Sequence, residues 1–491
     1  MGLVYKTMVC IMGLIAGISG AFMVLPMICA FYYNDMEAAQ IFGITGVLSL
    51  SIGFCIYKFM PRSRHPMHSR DAYLIVFGSW IVCSLIGALP YFFSGEITSF
   101  CDAIFEAVAG FTTTGATALG ESNFTEPFIL WKAITHWLGA MGILIFVITV
   151  LPSMGSGGQR IVAAESPGAG LSATSPRSKD LAKLLYLIYS TLTLSEFILL
   201  YFGSDMGAFE ALINSLGSIS TAGLTFHPSG VAYYDSVFVE CVLSVFTILA
   251  SVNFLLFIYL IKRNFNHIKK SYELRAYLAF IAVTTLFITA DLTSTETYQT
   301  FWASLRHAFF TVNSFMTTSG LVLSDYNTWP TFSKMILFSM LFVGGCVAST
   351  SGSVKMLRIL VMLKLVRRGF FKKLHPRSVK AVRIGENNIT SAMVSSVTSF
   401  IAMYFATFMV ASVVIAFSGH DLETSMGAAA SLMSTTGASF GDIGASGNYS
   451  AFSGPMKLFM SLLMLIGRLE MYTVFLIFLP SFWNPNKFRT G

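Results

Sequence analysis

The sequence predicts an all-α multi-spanning membrane protein. Ten transmembrane helices are expected, the last eight arranged as four outer helix, pore loop and inner helix repeats around a central pore, preceded by two N-terminal helices. Three observations lead to this reading. Only 11% of the 491 residues are charged and 55% are apolar, against roughly 25% charged in a soluble protein, and the mean hydropathy of +0.70 leaves too little polar surface to wrap water-soluble domains. Ten apolar stretches reach the length of about 20 residues that a bilayer requires. The basic residues fall almost entirely on one side of those stretches.

The stretches lie near 8–33, 39–60, 72–93, 128–151, 183–203, 236–261, 274–291, 332–363 (interrupted), 391–418 and 456–481. The first is much longer than the apolar region of about 7–15 residues in a signal peptide, so it reads as a retained helix. Numbered from a cytoplasmic N-terminus, 26 of the 31 Lys and Arg residues lie on the inner side, and 17 of the 24 Asp and Glu residues lie in the opposite loops. Ten crossings with both termini cytoplasmic fit that asymmetry, and an odd number breaks it. The seven cysteines (Cys10, Cys29, Cys55, Cys83, Cys101, Cys241, Cys346) sit mostly inside apolar runs with no CxxC spacing, which supports neither a disulfide framework nor a zinc site.

Between spans lie apolar segments too short to cross, near 102–111, 208–219, 301–316 and 422–433, and each ends in one motif. The copies are Phe111-Thr112-Thr113-Thr114-Gly115, Ile219-Ser220-Thr221-Ala222-Gly223, Met316-Thr317-Thr318-Ser319-Gly320 and Met433-Ser434-Thr435-Thr436-Gly437. The columns read apolar, hydroxyl, Thr, small, Gly. One Thr-Thr-Gly is a common helix cap, but four in register after non-spanning segments point to a shared function. The expected division is 1–70 for the extra helices, then repeats at 71–180, 181–271, 272–385 and 386–491. Non-helical backbone at membrane depth is tolerated only inside protein or along a watery cavity. A ring of carbonyls and Thr hydroxyls there replaces the hydration shell of a monovalent cation. The carboxy-terminal ends of the short helices favour a cation at the same point.

These motifs resemble those of the Trk/Ktr/HKT superfamily of potassium transporters, and specifically the TrkH/TrkG-type membrane subunit of bacterial potassium uptake systems. The likeness includes His136-Trp137-Leu138-Gly139-Ala140-Met141-Gly142-Ile143, Leu151-Pro152 through Gly157-Gly158-Gln159, Ala164-Glu165-Ser166-Pro167-Gly168 and Gly467-Arg468-Leu469-Glu470. The resemblance implies potassium as the permeant ion, an inner-membrane location, a homodimer and a TrkA-like cytosolic nucleotide-binding regulatory subunit. It assigns the potassium-binding filter to Thr112, Thr113, Gly115, Ser220, Thr221, Gly223, Thr317, Thr318, Gly320, Ser434, Thr435 and Gly437. In the superfamily a glycine at every filter position accompanies potassium selectivity, so Gly115 favours potassium.

The third inner span is interrupted by Gly344-Gly345-Cys346-Val347-Ala348-Ser349-Thr350-Ser351-Gly352-Ser353, too small and polar for a lipid-facing helix, so this piece is expected to line the pore. The resemblance makes it an intramembrane gating loop, although Ala348, Ser351 and Ser353 stand where the family tends to glycine. The gating set is Gly344, Gly345, Ser349, Thr350, Gly352, Lys355 and Arg468, with Lys355 equally readable as the first inside-positive residue. Arg468, deep in the last span, is a functional candidate by position; a structural pair with Glu470 or Glu196 is the bland reading. Lys132, Lys334 and Lys457 are expected to snorkel to the interface, Arg306 and His307 to meet outer-loop carboxylates, and His136 to be interfacial.

No converging acid, base, nucleophile or metal set lies in the spans, which argues against an enzyme and against a bound cofactor. There is no GxxxxGK[ST] phosphate loop, so nucleotide control belongs to another chain. The rival class is a cation-coupled secondary transporter of another small solute, which also uses broken helices but normally in one or two inverted breaks. Passive flow and coupling to protons or sodium both remain open. The basic segment 355–383 suits a partner surface or anionic lipid.

Overall fold

The computed structural model describes residues 5–60, 69–119, 124–142, 178–377, 383–384 and 387–483. The motifs at 151–168, Ile143 and the tail charges Lys487 and Arg489 lie outside the described residues. The fold is almost wholly helical; a two-residue antiparallel ladder, Arg383–Ile384 with Asn387–Asn388, is the exception to the all-α expectation.

Six helices among the described residues are long and apolar enough to cross a bilayer: Tyr5–Tyr32, Met36–Phe59, Arg70–Phe93, Ala182–Gly203, Tyr272–Ser294 and Ser391–Ala416. Their starts follow local chemistry. Asp35, Ser271 and Thr390 each accept a backbone N–H from the first turn that follows. The first and second spans pack through small residues. A side chain at Gly53 would run into the Gly13 backbone, and one at Gly20 into the Gly46 carbonyl, so the two helices approach as closely as their backbones permit.

The remaining four expected spans depart from straight helices. Glu126–Ala140 runs toward residues outside the described set. Val237–Ser251 and Phe254–Ile261 meet at 96°, and Gly454–Arg468 and Tyr472–Phe478 meet at 119°. Thr331–Met340 ends where the interrupted segment begins, and Met356–Leu374 starts after it. The sequence reading anticipated only this last break. The 96° bend arises because Asn253 leaves the helix to accept the Leu255 N–H, while the freed carbonyls of Ala250 and Ser251 find donors on the interrupted segment.

Candidate functional site

Four short helices, Phe100–Phe111, Ala208–Ile219, Phe301–Met316 and Leu422–Ser434, run directly into the four Thr/Gly motifs. In every copy the same two positions turn left-handed. The Thr residues have φ of 58° (Thr113), 53° (Thr221), 57° (Thr318) and 56° (Thr435), and the glycines 71° (Gly115), 68° (Gly223), 67° (Gly320) and 79° (Gly437). A β-branched residue in this region is sterically costly and persists only where its surroundings over-determine it. Four identical instances mark a built site.

The glycines close a ring. A side chain at Gly115 would collide with the Ala222 carbonyl, at Gly223 with Ser319, at Gly320 with Thr436, and at Gly437 with Thr114. Each glycine thus abuts the carbonyl just before the glycine of the next motif, and the fourth returns to the first. Only a residue without Cβ fits any of the four places. The short helices therefore converge with their partly negative ends on one ring.

The hydroxyls divide into two sets. Those of Thr112, Ser220, Thr317 and Ser434 turn back to carbonyls of their own helices, to Val108 at 2.7 Å, Gly217 at 3.1 Å, Asn313 at 2.8 Å and Ser431 at 3.0 Å. Any part these four play at the ring falls to their backbone. The second set is different: among the described residues Thr113 Oγ1 and Thr435 Oγ1 are buried without a partner, Thr221 donates to Ser220 O, and Thr318 Oγ1 accepts the Gly352 N–H at 2.8 Å.

Outside the ring lies a cavity of about 730 Å³ lined by Gly115, Gly223, Gly320 and Thr436, with Asp325 and Asp442 among its outer residues. On the other side sits the interrupted segment. A side chain at Gly352 would run into Ser434 O and Thr435 Oγ1. Val347 N–H donates to Glu273 at 2.8 Å, and Cys346 and Thr350 N–H donate to Ser251 and Ala250 carbonyls. Lys355 is buried and its ammonium donates to Ser351 O, which makes it part of the segment. Arg468 reaches the same place from the last span, donating to Thr350 O at 2.9 Å, Gly139 O at 2.7 Å and Ala140 O at 2.5 Å. All seven expected gating residues thus belong to the interrupted segment, its flank or its clamp.

The family described as TrkH, cation transport protein, matches residues 39–485. The chain belongs to the TrkH family. It is 32% identical over 478 residues to the Trk system potassium uptake protein TrkH of Halomonas elongata, covering 96% of this chain and 98% of that one. It is 30% identical to TrkG of Escherichia coli, covering 94% and 95%. The crystal structure of the potassium transporter TrkH from Vibrio parahaemolyticus superposes with a TM-score of 0.88 at 26% identity, covering 98% of this chain and 99% of that one.

In this TrkH-family chain Lys132 and Lys457 are buried in ion pairs and do not snorkel. Lys132 is buried and pairs with Glu106, which also accepts the Ala118 N–H at 2.9 Å and the Thr117 hydroxyl at 3.2 Å. Lys457 is 3% exposed and sits 3.0 Å from Asp102; Lys334 lies 3.3 Å from the more exposed Glu423. Arg306 pairs with Glu240, on a helix and not in a loop, with the loop residue Asp235 farther off at 3.8 Å. His307 stacks on Tyr298, with ring centroids 4.4 Å apart. His136 is fully buried, with Nδ1 2.8 Å from Gly110 O, and is not interfacial. Of the two acids named in the alternative reading of Arg468, Glu470 pairs with Arg358, and Glu196 accepts the Ser218 hydroxyl at 2.6 Å.

Sequence reasoning missed three supports of the ring. Tyr449 Oη donates to Gly437 O at 3.2 Å, Tyr326 Oη donates to Ser439 O at 2.8 Å, and Glu106 anchors the chain just beyond Gly115. The signal for Glu106 was present, since an ionisable residue inside an apolar segment is a functional candidate by default. The tyrosines carry no comparable signature.

Proposed function

We propose that this chain takes up potassium through the glycine ring, acting as the membrane subunit of a Trk-type system. The observation that carries the reading is the closed sequence of four glycine-to-carbonyl contacts. Backbone oxygens of Thr112, Thr113, Ser220, Thr221, Thr317, Thr318, Ser434 and Thr435, together with the second-set hydroxyls, stand in for the water of a dehydrated potassium ion, and Gly115, Gly223, Gly320 and Gly437 leave the space for them. Four convergent helix ends and the acidic vestibule favour cations over anions. The names of the Halomonas and Vibrio relatives support potassium as the ion.

The segment 344–355 closes the path below the ring, and Arg468 holds it there through Thr350 O. In this reading the chain crosses the inner membrane ten times with both termini cytoplasmic, forms a homodimer, and is opened by a TrkA-like nucleotide-binding subunit docked on the basic segment 355–383. The four repeats share one axis and differ in their inner halves. Purified protein in liposomes should take up rubidium or potassium, with competition by neither sugars nor amino acids. Reversal potentials under separately varied potassium, sodium and proton gradients then distinguish passive flow from coupling. Solute-dependent uptake without an alkali-ion current would overturn the reading.

A further inference from the structure

We propose that the Arg358–Glu470 ion pair is a positioning contact: it holds the last inner helix bent so that Arg468 stays on the gating segment, and movement of the Met356–Leu374 helix releases it. The proposal rests on the pore reading above. The 119° bend between Gly454–Arg468 and Tyr472–Phe478 is made at Glu470 and Met471, whose φ values are 55° and 59°. No glycine stands at either place. Two successive side-chain-bearing residues with positive φ are sterically unfavourable and persist where the surroundings impose them.

The imposing contact is visible. The Glu470 carboxylate pairs with the Arg358 guanidinium, with side chains only 16% and 11% exposed, and that guanidinium also lies 4.0 Å from the centre of the Phe400 ring. A mostly buried, charge-assisted pair flanked by an aromatic face is held more firmly than a surface pair. Arg468 stands two residues before Glu470 and clamps Thr350 O to the Gly139 and Ala140 carbonyls. The direction in which Arg468 projects is therefore tied to the bend.

Arg358 belongs to the first turn of Met356–Leu374, the helix that emerges directly from the gating segment. The far half of that helix is exposed, with Leu363 at 62%, Phe370 at 67% and Leu374 at 77%, and it carries Arg367, Arg368, Lys372 and Lys373. It is a lever with an exposed, basic arm, tethered near its middle by Lys364, which donates to Arg383 O and lies 4.7 Å from the centre of the Tyr272 ring. A partner that shifts the arm moves Arg358 away from Glu470, the bend loses its brace, and Arg468 leaves Thr350.

The test uses the full chain in liposomes without a partner, with R358E, E470R and the double exchange. Each single variant should raise basal rubidium uptake about fivefold, the scale of a coupling between neighbouring charged residues, and the exchange should bring it back to within about twofold of wild type. Singles at the wild-type level, or an exchange that leaks as they do, would overturn the proposal. If the charge-reversed chains do not fold, R358Q and E470Q carry the same comparison. A second readout does not depend on potassium: spin labels at Leu363 and Phe478 should report a changed distance in R358Q and E470Q, and an unchanged one refutes the brace. If wild type and R468A move no alkali ion while that distance responds, the pore reading fails and the brace stands.

Discussion

The four glycine loops and the four helices that follow them make an instructive pair. The loops are near copies, with the same two left-handed residues and the same glycine-to-carbonyl contact in each. The helices share almost nothing: one bends by 96°, one stops at the break over 341–355, one bends by 119°, and the remaining one, Glu126–Ala140, supplies carbonyls to Arg468. In the proposed function, equivalent oxygens around one ion demand equal geometry, which accounts for the first group. A single movable barrier, as proposed, demands inequality, which accounts for the second. The irregularities are also concentrated, because the 344–355 segment hydrogen-bonds both to the 250–254 bend and to Arg468.

The sharpest break of the comparison is to spoil one loop's equivalence. Gly223→Ala puts a methyl against Ser319 O at a residue with φ of 68°. Displacing one ring carbonyl should lower potassium flux by roughly 100-fold, the scale seen when reacting groups are misplaced by an ångström. Gly369→Ala, where nothing lies within 4 Å, should leave flux unchanged. Rubidium uptake by the two variants side by side checks this.

The ring is also tied from outside, and the ties are graded. The fourth residues of three inner helices, Glu240, Lys334 and Lys457, each pair with the short helix of the next motif, whereas Ile129 occupies that place in Glu126–Ala140. Lys457→Met leaves the mostly buried Asp102 uncompensated and should cost about 3 kcal/mol. Lys334→Met removes a pair with a half-exposed Glu423 and should cost less than about 1 kcal/mol. Thermal unfolding in detergent separates the two, and equal losses would contradict the grading.

The regular half was the legible half. The four motifs were readable because a left-handed turn against a neighbouring carbonyl demands glycine, and glycine is visible in a sequence. The interrupted segment was readable for its run of small residues. The bends were not: Val252-Asn253 and Leu469-Glu470-Met471 contain neither glycine nor proline, and their geometry comes from partners distant in the chain, the gating segment and Arg358. The expectation for Lys132 and Lys457 failed for the same reason. Nothing adjacent to Lys457 announces Asp102, so a buried pair and a snorkelling side chain look alike until the helices are packed. Arg468 stood out by its depth in the last span, but it donates to backbone carbonyls, which composition cannot reveal.

Within the irregular half, Arg468→Ala removes the charged donor to Thr350 O. A hydrogen bond of this kind contributes about 1.5 kcal/mol. Basal rubidium uptake should therefore rise about tenfold, with fold and filter selectivity unaltered. Uptake at the wild-type level in a correctly folded variant would remove Arg468 from the gate.

The finest distinction lies inside the interrupted segment, at its two left-handed residues. Ala348 has φ of 56° and Ser353 has φ of 59°, each carrying about 1 kcal/mol of left-handed strain. In Ala348→Gly the strain is relieved, and the added chain freedom of glycine in the open state offsets about 0.5–1 kcal/mol of that gain. Basal flux should fall by no more than about twofold. Ser353→Gly relieves the same strain but also deletes the hydroxyl that donates to Leu341 O at 2.7 Å, a bond contributing about 1 kcal/mol. That variant should leak slightly more than wild type. Opposite signs from one substitution type at two equally strained positions would tie the barrier to contacts of the closed segment. Equal signs would instead tie it to backbone flexibility alone.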